Sequence, residues 1–168
     1  MTERISKAKI LLARLVLVLV VSFVVLGVVM NGLSVSVLER IWQNLLDRPS
    51  GPMAFRIILQ PIMASIAALI DGIKDARTGR NPYLWTVLSD PMKRSSRLHE
   101  GLVSTARVIL FGLCMDLIYQ YIVFDTFYPA EAVIIAGLLC FLPYLLLRGP
   151  INRVACWWLE GRSTDKFR

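Results

Sequence analysis

Four ionisable side chains lie within long apolar stretches of this 168-residue sequence: Arg56, Asp71, Arg107 and Asp116. A charge in hydrocarbon turns toward other helices or toward water, so each could form an ion pair or belong to a proton or ion path. At about 100° per residue, Arg56, Gln60, Ala64, Ala67 and Asp71 share one stripe of a helix, and Thr105, Gly112, Asp116, Tyr119 and Gln120 share another. Two such stripes on consecutive antiparallel helices are expected to face each other, because lipid offers their groups no partners. At about 1.5 Å per residue, Arg56 would lie about 5 Å and Asp116 about 9 Å below the same membrane boundary. An Arg56–Asp116 ion pair is therefore predicted, with Gln60, Tyr119 and Gln120 taking up the spare donors and acceptors. Arg107 stands half a turn out of phase with Asp116 and is predicted to snorkel toward headgroups. Asp71 is predicted to pair with Lys74 at the wet boundary, one turn on.

The chemistry such a seam supports is first structural, a polar glue that fixes helix register. The alternative is a small transporter or proton-conducting protein that uses the Arg56–Asp116 site. Pro61, directly after Gln60, frees a backbone carbonyl there, although transporters ordinarily build a midplane site from broken helices in larger bundles. Little points to catalysis. His99 is the only histidine and lies in a polar stretch; no Gly-x-Ser-x-Gly, His-Glu-x-x-His or phosphate-loop pattern occurs. Cys114, Cys140 and Cys156 are odd in number, widely spaced and set in largely apolar surroundings, which suits small hydrophobes rather than a disulfide framework or a zinc site. No metal, no cofactor and no enzymatic activity is expected; lipid-headgroup chemistry from the cytoplasmic loop is a third and weaker reading.

The elements that must hold this seam follow from hydropathy. The sequence is 56% apolar and 18% charged, more apolar and less charged than a soluble domain. Runs near residues 12–31, 53–73, 102–124 and 130–147 each approach the roughly 20 residues needed to cross a bilayer. The fold expected is all-α: one membrane domain of four transmembrane helices, with Pro143 kinking or packing the fourth. The first run also follows basic residues, as a signal peptide does, but no convincing cleavage site follows, and an uncleaved span is the better reading. Between the first two spans, Leu38, Ile41, Trp42, Leu45 and Leu46 recur at helical spacing, opposite Glu39, Arg40, Gln43, Asn44 and Asp47. That pattern predicts an amphipathic interfacial helix over 36–47, with Ser36 and Glu39 as a capping box and Trp42 at the interface. Packing of the same helix on the spans gives an almost identical pattern.

Charge sets the orientation. Fifteen Lys/Arg residues fall in the N-terminal segment, the 74–101 loop and the 148–168 tail, against two, Arg40 and Arg48, on the opposite side. The positive-inside rule then places both termini and the long loop in the cytoplasm. Basic residues gathered at helix ends lie within reach of anionic headgroups, so the net charge of +7 implies membrane lipids as partners and not nucleic acid. Trp85 in the loop, and Arg148, Arg153, Trp157 and Trp158 in the tail, are the expected lipid-interface residues.

Four blocks carry a resemblance: Phe55–Pro61, Asp71–Arg80 with Pro82-Tyr83, Tyr128–Ala132, and Pro143–Pro150. Together, over about residues 53–153, they resemble a group of small bacterial inner-membrane proteins. The resemblance implies location and architecture, and it highlights Arg56, Gln60 and Asp71. The function expected is that of a non-catalytic accessory or scaffold protein, acting through contacts with lipid, another membrane protein or its own copies.

Overall fold

The structure, a computed structural model, describes residues 7–32, 34–51, 53–124 and 126–165, without the side chains of residues 48 and 160–165. The side chains of Arg4, Arg48, Arg162, Lys166 and Arg168, which entered the charge count, lie outside that description. The chain is all-α. Helix α1 (Lys7–Asn31) is followed by α2 (Val35–Asp47), α3 (Arg56–Arg77), α4 (Tyr83–Ser89) and α5 (Pro91–Phe124). Helix α6 (Pro129–Ala136) then runs through a π-turn, Gly137–Phe141, into α7 (Leu142–Asp165). Among the described residues, four helical stretches are long and apolar enough to cross a membrane: Lys7–Asn31, Arg56–Arg77, Pro91–Phe124 and Pro129–Leu159.

These stretches extend beyond the predicted spans, at 7–11, at 148–159 and, within the expected loop, at 74–77 and 91–101. Three dipeptides of that loop whose residue types favour turns, Thr78-Gly79, Asn81-Pro82 and Asp90-Pro91, stand at helix ends. Gly79, at φ 63°, ends α3: the Arg80 amide returns to the Asp75 carbonyl and the Gly79 amide to that of Ala76. This pair of bonds is the Schellman arrangement, which needs a left-handed residue. Asn81-Pro82 leads into α4. Asp90 caps α5, its Oδ1 accepting from the amides of Met92 and Lys93, with Pro91 in the first helical position where its missing N–H matters least. Lys93 also donates to this carboxylate, and that bond, the largest influence, holds it below the usual range for aspartate. The expected polar loop is thus two helix ends and a short helix.

The cap of α2 also differs from expectation. Ser34, not Ser36, accepts from the Val37 amide, two residues earlier than the predicted box. Helix α2 is packed against the bundle through Ile41, while Trp42 stays 60% exposed.

Helix α5 occupies the centre, touching α1, α4 and α6, while α3 lies chiefly along α7 rather than along α5. Ala13, Val16, Ala106, Ile109, Leu113 and Ala132 form one core, and Ala64, Ala68, Tyr83, Val87 and Tyr144 a second. Close crossings use glycine. Gly27 abuts Ala130, and a Cβ on Gly72 would come within 2.7 Å of Ile151. Small residues admit this close approach of helix backbones. Helix α1 buries only Ala13, Val16 and Gly27, so most of its Leu/Val surface faces outward. Pro143 lies two residues after the π-turn; a proline cannot donate to the carbonyl four residues back, which here belongs to Leu139 within that wider turn.

Candidate functional site

Two clusters of buried polar residues lie at opposite ends of the bundle. The first is the predicted seam. Arg56, in the first turn of α3, is 2% exposed and Asp116 of α5 is 1% exposed. Nη2 of Arg56 donates to Oδ1 of Asp116 at 2.5 Å. The other carboxylate oxygen accepts from Gln120 Nε2 at 2.7 Å, one turn along α5. Gln120 in turn clasps the backbone of Tyr128: its Nε2 donates to the Tyr128 carbonyl, and its Oε1 accepts from the Tyr128 amide at 2.7 Å. One side chain therefore joins the ion pair to the turn that reverses the chain between α5 and α6. The Tyr119 ring lies 5.6 Å from the Arg56 guanidinium, within cation–π range.

Gln60 departs from expectation. It is completely buried one turn after Arg56, yet neither its Oε1 nor its Nε2 has a hydrogen-bond partner, and neither does Nη1 of Arg56. The amide sits at a three-helix junction; a Cβ on Gly112 would come within 3.2 Å of Gln60 Nε2 and 3.3 Å of Cys140 Sγ. Buried polar atoms in this condition cost about 1–3 kcal/mol each. Beside the seam, buried Glu131 accepts from Asn44 Nδ2 at 3.1 Å, and the Arg40 guanidinium stacks on Tyr128 at 3.9 Å. These contacts fasten α2 to the start of α6.

The second cluster was not foreseen, and it corrects two expectations. Arg148, assigned to the lipid interface, is fully buried. Its guanidinium reaches Asp75 and Glu100 at 2.8 and 2.7 Å, lies over the Tyr83 ring at 4.4 Å and donates to the Tyr144 hydroxyl. Asp71, expected to pair with Lys74, accepts from the Tyr144 hydroxyl at 2.7 Å and stands 4.0 Å from Arg148. Arg97 and Arg80 approach Asp75 at 3.4 and 3.7 Å, and both also reach Glu100. The Tyr83 hydroxyl donates to the Arg97 carbonyl, and burial pushes its pKa from 10.0 to about 12. The mesh joins α3, α4, α5 and α7. Its sequence signal was a pair of four-residue spacings, Asp71/Asp75 and Tyr144/Arg148, each placing two polar groups on one helical face.

Other predicted residues divide cleanly. Arg107 is exposed on α5 and does not join the seam, because its phase on a straight helix points away from Asp116. Trp42, Trp85, Trp157 and Trp158 are 60%, 62%, 76% and 53% exposed, and Arg153 is also exposed. Among the described residues, no group of three His, Cys, Asp or Glu side chains is placed to hold a metal ion. Both polar clusters tie helices together. No protein-family model, curated protein or solved structure matches the chain, so the geometry of these two clusters is the basis for assigning it a role.

Proposed function

We propose that this chain is a small multi-pass protein of a bacterial inner membrane, with both termini cytoplasmic, acting as a non-catalytic accessory or scaffold through helix and lipid contacts. The observation that carries this reading is how the buried charges are used. Arg56 is bonded to Asp116, and Arg148 to Asp75 and Glu100, each pair bridging different helices. Charges held in this way fix register and orientation, which a platform for other molecules requires. The asymmetry of Lys/Arg along the sequence supports the orientation. The resemblance over residues 53–153 supports the location. A reporter fused after Trp85 or at the C-terminus should be active only in its cytoplasmic form; periplasmic activity at either place would overturn the topology.

One observation favours a conducting protein instead: the unpartnered Gln60 amide beside Nη1 of Arg56. Such groups would bind water in a proton path. Gln60→Leu separates the two roles. In a scaffold the change removes an unsatisfied amide and leaves stability unchanged or raised by about 1 kcal/mol. In a conductor it abolishes proton flux into liposomes while the protein stays folded, and that result, repeated with Asp116→Asn, would replace the scaffold reading.

A further inference from the structure

The geometry points to a site for the phosphate of one anionic phospholipid on the outward rim of α1 and α5, framed by Arg14 and Arg107. The inference rests on the membrane reading above and deepens it by naming a class of lipid and its seat. Both helices carry one short pattern, Ala13-Arg14-Leu15-Val16-Leu17 and Ala106-Arg107-Val108-Ile109-Leu110. The fold brings the two copies together, for Ala13, Val16, Ala106 and Ile109 are buried in the same core. At the far end Gly27 abuts Ala130, two residues beyond Tyr128, whose amide Gln120 holds. Gly27 and Gln120 are therefore near one level, and fourteen residues back along each helix stand Ala13 and Ala106. Helices α1 and α5 thus run parallel, and the arginine after each alanine emerges at the same depth.

Both arginines are exposed, and neither has a hydrogen bond or an ion pair among the described residues. Neither helix offers a free carboxylate: α1 has none, and on α5 Glu100 and Asp116 are bonded to Arg148 and Arg56. Each arginine begins an apolar outer stripe at identical spacing. Val18, Val21 and Val25 follow Arg14, and Phe111, Cys114 and Ile118 follow Arg107. All are exposed except Phe111, which is half-buried. Acyl chains can lie along these stripes while the headgroup sits at the arginines. Two cations at one depth repel each other and are costly beside hydrocarbon, and both penalties fall when one anion lodges between them. The guanidinium fork suits phosphate oxygens, and both side chains are long enough to swing toward a headgroup at the α1–α5 contact. With no carboxylate to receive an ammonium, the pair selects a net negative headgroup over a zwitterionic one.

The test uses the full-length protein in nanodiscs of phosphatidylcholine containing equal minor fractions of phosphatidylglycerol and phosphatidylethanolamine, followed by native mass spectrometry of the released protein. Failure to insert would overturn the membrane reading, whereas insertion without lipid preference would overturn the site alone. Phosphatidylglycerol is expected to be retained in preference to phosphatidylethanolamine. Arg14→Gln and Arg107→Gln, on separate helices, should each reduce that retention about tenfold, the loss of one charge-assisted contact. Both arginines are exposed, so each variant should keep the folded fraction of the parent in a denaturant titration. Arg77→Gln removes an equal exposed charge from the end of α3 and should leave retention unchanged. A loss with Arg77→Gln as large as with Arg14→Gln would mean a diffuse charge effect and overturn the site. Retention unaffected by Arg14→Gln and Arg107→Gln together would overturn it as well.

Discussion

The two polar clusters solve the problem of a charge inside a bundle in different ways. At one end a single arginine meets a single aspartate, and Arg56 has no other carboxylate bonded to it among the described residues. At the other end, three arginines share Asp75 and Glu100, with two tyrosines alongside. The first arrangement is a point contact, vulnerable to one substitution. The second is a mesh, in which a lost member leaves neighbours to neutralise what remains. Burial makes both strong, but only the mesh is redundant.

Breaking the point contact should therefore have the largest effect. Asp116→Asn leaves Arg56 buried without its counter-charge and should destabilise the protein by about 4 kcal/mol, read as a loss of folded fraction in a denaturant titration in mixed micelles. Adding Arg56→Gln should recover much of that loss, because two neutral amides can satisfy each other; strictly additive losses would contradict a direct pair. Arg148→Gln should cost less, about 2–3 kcal/mol, since Arg97 and Arg80 still approach Asp75. Arg80→Gln, at the half-exposed rim of the same mesh, should change stability by no more than about 0.5 kcal/mol. If Arg80→Gln proved as damaging as Arg148→Gln, the redundancy argument would fail.

The smallest effect expected is one of pH. The Tyr83 phenol, pushed by burial to about 12, keeps its proton in the folded protein at a pH where the unfolded chain, at 10.0, has begun to lose it. The folded state then binds more protons than the unfolded one, so stability falls as pH rises from 10 toward 12 and is indifferent to this group below that window. Tyr83→Phe should remove this part of the alkaline loss, measured as the difference between the two pH profiles.

The same contrast explains what the sequence disclosed. The Arg56–Asp116 pair was legible because two consecutive helices, each with one phase and one depth, fixed both ends. The mesh was not, because Arg148 was placed at a boundary by hydropathy alone, while α7 in fact continues past it and packs along α3. Turn and cap chemistry use the same residues, as at Gly79, Pro82 and Asp90, so a loop is the expectation over 74–101 where helices in fact stop and restart. Gln60 was rightly placed on the seam, yet phase and depth say nothing of whether an amide finds a partner.

The π-turn at Gly137–Phe141 has a consequence for length variation in this chain. Each residue turns a helix by about 100°, so the number of residues between Ala136 and Tyr144 sets the bearing of everything beyond. Exchanging one apolar side chain for another in that stretch alters local packing alone. The π-turn already absorbs one residue more than an α-turn, so a further inserted residue would swing Tyr144 and Arg148 away from Asp71 and Asp75 together, though neither would itself be altered. The stretch should therefore tolerate changes of identity far better than added residues.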